Sequence, residues 1–474
     1  MATRRIGLRM ISSKKWRGGI NYIINLTKAL HSLPVGERPE VVLLTYDDAG
    51  VELAAGLASY VNDIRPLSQA SSLKLDIVYP VTQLFEAPVD APWAAWIPDW
   101  QCQYLPDMFD DLELRRRELH FRYLATRAPL LIHSSRMAAN DSASQFGDDL
   151  VSNELLTFPS VVESVEVARG RARLPVLRRD IDLPSKYFLV ANQWWRHKNH
   201  RILLEALKCA ERDDVVIVCT GDTVDHRSPG YAEGLVAEIE AAGLKKQIRV
   251  LGSMNREDQV ALMLGAVAII QPSKFEGWST VVEEARSLGK NILLSEFPVH
   301  RDQNPPLAKF FAPDDAPALA KLMAETLDTE KVQDIIPDTE EYLQFCARQL
   351  VRISDRVQAV YNPKVHNPLQ LIADAFSDLA VNCNEDLENE VLKRFSAGAR
   401  GYAKANPGVV ERLTEIILRD HPSVQSEFLT QILQPLGHSI VSVGKSTTGF
   451  SRVSYARLFM YRAKGFVLRM LKDF

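Results

Sequence analysis

"AVAIIQPSKFEGWSTVVEEARSLGK" spans residues 266–290 and changes its period half-way along. Residues 266–273 open with an apolar run without alternation, the pattern of a strand buried on both faces of a parallel sheet. From Thr280 onward, Val281, Val282, Ala285 and Leu288 fall on one face at about 100° per residue, which predicts a helix. Thr280 with Glu283 three residues on reads as a capping box, and Gly289 as the stop. The unit is strand, loop, helix. Its loop leaves the carboxyl end of a parallel strand, which is where such sheets bind ligands.

Three acids surround that helix start, and the pattern separates them. Glu283 is assigned to the cap and points away from the apolar face. Glu284 falls at the edge of that face beside Leu288, where an unpaired carboxylate is costly, so a hydrogen-bonded partner or a ligand is expected. Glu276 stands in the loop, next to Gly277, which lets a backbone approach a ligand closely. The free N–H groups of a helix start suit phosphate. Carboxylates on either side suit hydroxyls, for which they are acceptors. Together these describe a nucleoside diphosphate sugar. The alternative is a capped surface helix with solvated acids.

Two series of apolar runs alternate with helix-length amphipathic segments. The first comprises 4–11, 40–46, 75–80, 93–98, 129–135 and 154–160; the second comprises 186–193, 214–222, 247–253, 266–273, 290–296 and 309–313. The fold class is therefore α/β, with two doubly wound Rossmann-like domains facing across a cleft and a helical C-terminal appendage. The basic, proline-containing stretch "RGRARLPVLRRDIDLPSK" (169–186) reads as an aperiodic join. The expected boundaries are 1–178, 179–364 and 365–474. In the last block, "PGVVERLTEIILRDHP" (407–422) and "PSVQSEFLTQILQPLG" (422–437) read as helices entered through proline.

At 474 residues, two or three domains are expected. With 46% hydrophobic and 24% charged residues and a net charge of −4, the chain is neither disordered nor a basic nucleic-acid binder. The five cysteines form no C-x-x-C pair, which argues against a zinc ribbon or a disulfide framework. No segment has the length and apolarity of a signal peptide or a membrane span. A cytoplasmic location is expected, with attachment to the inner membrane surface open.

The residues also carry a resemblance. "FEGWSTVVEEA" (275–285) resembles the E-x7-E motif of the retaining glycosyltransferases of family 4, which have the GT-B fold. "NQWWRHKNHRILLEAL" (192–207) resembles that family's donor-phosphate segment. "VVIVCTGD" (215–222), "IRVLGSMNREDQVALML" (248–264) and "FFAPDDAPALA" (310–320) follow in its order. In the first half, "WRGGINYIINLTKAL" (16–30) resembles its glycine loop. "WIPDWQCQYLPDMF" (96–109) and "HSSRMAANDSASQFG" (133–147) resemble its acceptor-side segments. The resemblance covers about residues 4–361 and is strongest over 186–311.

The resemblance implies transfer of a sugar from a nucleotide diphosphate to an acceptor hydroxyl, in polysaccharide or glycolipid synthesis, with the anomeric configuration kept. It implies no metal or other cofactor. Position by position, Glu284 holds the ribose hydroxyls and Glu276 the sugar hydroxyls. Gly277, Trp278 and Ser279 offer backbone contacts to sugar and phosphate, and Lys198 neutralises the diphosphate. Gly18 and Gly19 bring N–H groups over the phosphates from the opposite domain. Three positions depart from the pattern. Gln193 replaces a frequent basic residue, so Arg196 substitutes or the charge comes from elsewhere. Cys102 stands where histidine is common, leaving Asp99 as the acceptor-side candidate. "VHRDQ" (299–303) is a looser H-R-E.

Other signals are weaker. His197 and His200 are one helical turn apart, but no third metal ligand is evident and Lys198 lies between them. "RDID" (179–182) lies in the expected join. "GHSIVSVGKST" (437–447) has Ser439 where a phosphate loop needs glycine. The segment 452–474 mixes six basic residues with apolar ones and one acid, and reads either as an interfacial helix on an anionic membrane or as a packed helix with a solvated basic face. The partners expected are a nucleotide-sugar donor and a glycan or lipid-linked acceptor. An inactive scaffold of the same fold, a sugar-nucleotide epimerase and a glycosyl phosphorylase are the alternatives.

Overall fold

The structure is a computed structural model that describes residues 4–13, 16–210, 212–225, 227–329, 336–382, 386–406 and 408–436. It divides into two compact units, Met1–His366 and Asn367–Phe474.

The first unit holds two parallel sheets. One has strands β1 (Arg5–Arg9), β2 (Glu40–Thr45), β3 (Asp63–Pro66), β4 (Ile77–Val81), β5 (Trp93–Trp96), β6 (Leu131–His133) and β7 (Asn153–Leu155), in the order β3-β2-β1-β4-β5-β6-β7. The other has β8 (Phe188–Ala191), β9 (Ile217–Thr220), β10 (Ile248–Gly252), β11 (Ala268–Gln271), β12 (Ile292–Ser295) and β13 (Ala308–Phe311), in the order β10-β9-β8-β11-β12-β13. Every pairing is parallel, with Ile6 opposite both Val41 and Ile77 in the first sheet. In the second, Leu189 lies opposite both Val218 and Ile269. The strand order reverses beside β1 and beside β8, so each sheet has a crevice there at its carboxyl edge.

Each apolar run expected as a strand overlaps one. β3 was not expected, because "DIRP" sits at the sheet edge, paired only to β2, with no buried position to impose an apolar pattern.

The expected join at 169–186 is instead mostly helical. The helix Ser164–Asp180 runs through Pro175, starts at a capping box of Glu163 and Glu166, and buries Val167 and Leu177 with Val260 and Ala261 of the helix Arg256–Gly265. Arg169, Arg171 and Arg179 are exposed while Arg173 pairs with Asp258 at 2.6 Å, so the basic residues hid the period and packing overrode the local signal. The helix Glu340–Val360 makes the return crossing. Its Ala347, Leu350, Ile353 and Val357 lie in the core of the first sheet, with Ile6, Leu8 and Tyr22. Each sheet is therefore covered by a helix that the boundaries at 178/179 and 364/365 place with the other or leave outside its own block.

The second unit contains the helices Pro368–Val381, Asp386–Ala405 and Val409–Asp420, followed by short turns to Leu436. Leu371, Phe376, Leu392, Phe395, Leu413 and Phe428 are buried in it. The segments 437–447 and 452–474 lie outside the described residues. Among those described, no helix is long and apolar enough to cross a membrane.

Truncating Leu350 to alanine removes a fully buried side chain from the core of a sheet more than 190 residues away in sequence. The expected cost is about 2–5 kcal/mol, read from urea unfolding. An unchanged midpoint would show that Glu340–Val360 is not part of that core.

Candidate functional site

The quoted loop and helix sit at the crevice of the second sheet. The helix spans Thr280–Ser287 and its cap is Ser279, with no side-chain cap bond. The expected capping box is absent for a geometric reason. With the cap at Ser279, the third helical residue is Val282, and Glu283 lies one position too far to reach back. Glu283 is buried instead, accepting from Gln303 Nε2 at 2.9 Å, Tyr342 OH at 3.1 Å and Arg286 Nε at 3.2 Å.

Glu276 is 8% exposed, and both of its oxygens accept from Lys198 Nζ, at 2.7 and 2.8 Å. Gln271 Nε2 adds a bond to Oε1 at 2.8 Å and also reaches Ser279 Oγ at 3.1 Å. Burial pushes the Glu276 carboxyl up, but Lys198 holds it below its ordinary value. Lys198 is presented by the turn Arg196–Lys198 after β8. That turn closes on Asn199 in the left-handed region (φ 60°), whose side chain donates to Pro272 O and Pro313 O at 3.1 and 2.8 Å. His197 and His200 are buried and pushed down to about 3, chiefly by burial; His200 stacks on Trp194 at 4.4 Å. They act as neutral packing groups.

Glu284 is 9% exposed, and its Oε1 accepts from Arg256 Nη1 at 2.7 Å and Ser160 Oγ at 3.5 Å. Burial raises its pKa and Arg256 opposes that rise. Glu284 lines a cavity of about 440 Å³ with Thr280 and Val281 at the helix start. Asn192, Thr220, Gly221 and Ser253 come from the carboxyl ends of β8, β9 and β10, while Arg17, Asn21 and Lys28 come from the helix Arg17–Ser32 of the first sheet. The first N–H groups of a helix have no intrahelical acceptor, so the wall at Thr280–Val281 offers donors. Asn192 connects this cavity to the second carboxylate, donating to Gln271 Oε1 at 2.7 Å.

The remaining expected residues fall into two groups. Gly277 and Asp99 meet across the cleft: a Cβ on Gly277 would lie 2.7 Å from Asp99 Oδ2, so only glycine allows this approach. Asp99 is half-buried, accepts the Gln101 N–H at 3.0 Å, and is pushed up first by burial. Trp278 donates to Phe158 O at 3.0 Å and so anchors the loop to the first sheet. The Ser279 N–H is directed to Gln303 Oε1 at 3.3 Å, which commits it within the protein. Gly18 and Gly19 occupy the first turn of Arg17–Ser32, Gly18 exposed and Gly19 packed under the Trp16 ring. Arg196 does not reach the cavity; its guanidinium bonds Asp107 across the cleft and stays 41% exposed. Cations facing the cavity are Arg17, Lys28 and Arg256, none of which was expected. On the Asp99 side, Phe109 is held between Arg117 at 4.8 Å and Arg227 at 4.4 Å. Asn192 and Arg256 lie within the quoted segments 192–207 and 248–264 but were not singled out, and Gln271 left no signal beyond being a polar residue at a strand end.

Residues 178–340 match the family described as glycosyl transferases, group 1. No curated protein matches the chain. Among solved structures, a glycosyltransferase from Rickettsia africae ESF-5 is 14% identical with a TM-score of 0.53, over 75% of this chain and 99% of that one. Sucrose-phosphate synthase from Thermosynechococcus elongatus is 13% identical, TM-score 0.51, over 80% and 100%. HepE of Anabaena in complex with UDP is 15% identical, TM-score 0.50, over 79% and 100%. The fold is GT-B.

Replacing Lys198 with alanine leaves Glu276 buried without its counter-ion, an expected cost of about 3–5 kcal/mol at pH 7. In the wild type, the depressed carboxyl keeps this stabilisation until pH falls through the lowered value. In the variant, burial acts without Lys198 and the carboxyl moves upward, so stability recovers as pH falls through that raised value. Thermal unfolding at pH 5 and pH 7.5 checks this; parallel curves for the two proteins would contradict it.

Proposed function

We propose that the protein transfers a sugar from a nucleoside diphosphate sugar to an acceptor hydroxyl, with retention at the anomeric carbon. The observation that carries this reading is the buried Glu284, whose Oε2 makes no hydrogen bond among the described residues and which lines the cavity beside a helix start. A cavity of about 440 Å³ lies within the range of about 300–1,000 Å³ usual for small-molecule sites. The group 1 match and the UDP bound by HepE support the same class of donor.

In this reading the ribose hydroxyls donate to Glu284, and the diphosphate lies against the N–H groups of Thr280 and Val281. Lys198 turns part of its charge from Glu276 to the departing phosphate, stabilising the charge that develops as the glycosidic bond breaks. Glu276 takes the sugar hydroxyls in exchange. Asp99, facing Gly277, orients the acceptor hydroxyl, whose proton passes to the departing phosphate oxygen on the same face of the sugar. No enzyme nucleophile is required. The cation is supplied by Lys198, so the residues need no metal for this role. The acceptor is a glycan or a lipid-linked sugar, and the protein works in the cytoplasm, in polysaccharide or glycolipid assembly.

Labelled nucleotide sugars incubated with the protein should show slow donor hydrolysis without acceptor. Glu284→Ala should weaken nucleotide binding about tenfold to hundredfold, the loss of hydrogen bonds to a charged group. Lys198→Ala should mainly lower kcat, by about a hundredfold or more. Wild-type kinetics in both variants would refute the assignment, and absence of nucleotide binding would favour a scaffold.

A further inference from the structure

Glu284 does not face the cavity alone. Arg256, the first residue of the helix Arg256–Gly265, reaches across to it and lines the same cavity. Its Nη1 donates to Glu284 Oε1 at 2.7 Å, and its Nε donates to Glu166 Oε1 at 2.8 Å. Glu166 is itself fixed, because its other oxygen accepts the Glu163 N–H at 2.9 Å at the start of another helix. A planar guanidinium held by two carboxylates on two helices has its orientation set before any ligand arrives.

What remains free is specific. Glu284 Oε1 is taken by Arg256 and Ser160, while Oε2 has no partner among the described residues. On Arg256, Nε and Nη1 are engaged, while Nη2 has no partner among the described residues. The wall therefore presents one carboxylate acceptor next to one guanidinium donor. A hydroxyl matches such a pair on both counts, since it donates one hydrogen bond and accepts others. A ribose carries two adjacent hydroxyls; a 2′-deoxyribose carries one.

Resting on the nucleotide-sugar reading, we propose that Arg256 is a specificity-determining residue. It aims the Glu284 carboxylate and donates to the ribose 2′-hydroxyl, so the site selects ribonucleoside over 2′-deoxyribonucleoside diphosphates. Glu166, at the same cavity wall with both oxygens already engaged, positions Arg256. Without a 2′-hydroxyl, the Arg256 donor and one lone pair of Glu284 lose their match, and a site built for that hydroxyl rejects the analogue lacking it.

Isothermal calorimetry tests this with UDP, GDP and ADP, and then with the 2′-deoxy counterpart of the tightest binder. The wild type should bind the ribonucleotide about tenfold to hundredfold more tightly than the deoxy form. In Arg256→Gln the ribonucleotide should lose affinity and the deoxy form much less, bringing the ratio down to about twofold or below. Glu166→Gln keeps Arg256 and Glu284 and removes the charge, itself at the cavity wall, that holds Arg256 Nε; it should lower the ratio severalfold, and it serves if Arg256→Gln does not fold. An equal loss for both nucleotides in these variants would make Arg256 a structural support only. A wild type that does not distinguish the two sugars would overturn the proposal while leaving the nucleotide site intact. If no nucleoside diphosphate binds the wild type, the parent reading falls and this one with it.

Discussion

A carboxylate removed from water must find a cation or a set of donors, or its burial opposes folding. The segment 276–287 meets that constraint three times within nine residues, at Glu276, Glu283 and Glu284. Each solution draws on a different part of the chain. Lys198 comes from the turn after β8, Arg256 from the helix after β10, and Tyr342 from the helix that returns to the first sheet. The helix start is thereby the point on which the loops of the second sheet converge. Glu284 lines the cavity, Glu276 is held by Lys198 and Gln271, and Glu283 is enclosed by Gln303, Arg286 and Tyr342.

The same segment also ties the two sheets together. Trp278 bonds the Phe158 carbonyl, and Gly277 lies against Asp99. Farther along the cleft, Arg196 reaches Asp107, and Arg227 packs over Phe109 and donates to Gln101 at 3.2 Å. The cavity with Glu284 and the region around Asp99 thus lie on two sides of one loop. Lys198 and Glu276 form a buried ion pair beside this loop, each satisfying the other's charge.

Much of this was legible in sequence because buried parallel strands impose unbroken apolar runs. The strands β8 to β13 followed from that rule, as did the pairing requirement on Glu284, which comes from its place beside Leu288. The capping box did not form because Ser279 starts the helix and shifts Glu283 out of register. The stretch 169–186 concealed a helix because its register is decided by contacts with Val260 and Ala261 rather than by its own composition. Arg17, Lys28 and Arg256 were missed for a related reason. A cation that matters only through its position in space leaves no mark on local pattern, and Gln193 had pointed to Arg196 instead.

In the proposed function, a nucleoside diphosphate occupies the cavity between the helices Arg17–Ser32 and Thr280–Ser287. A crystal structure of the protein with a bound nucleoside diphosphate tests it most directly. Ribose density is expected against Glu284, and phosphate density at the amide hydrogens of Thr280 and Val281. Nucleotide density elsewhere, with the Arg256–Glu284 wall unliganded, would contradict it.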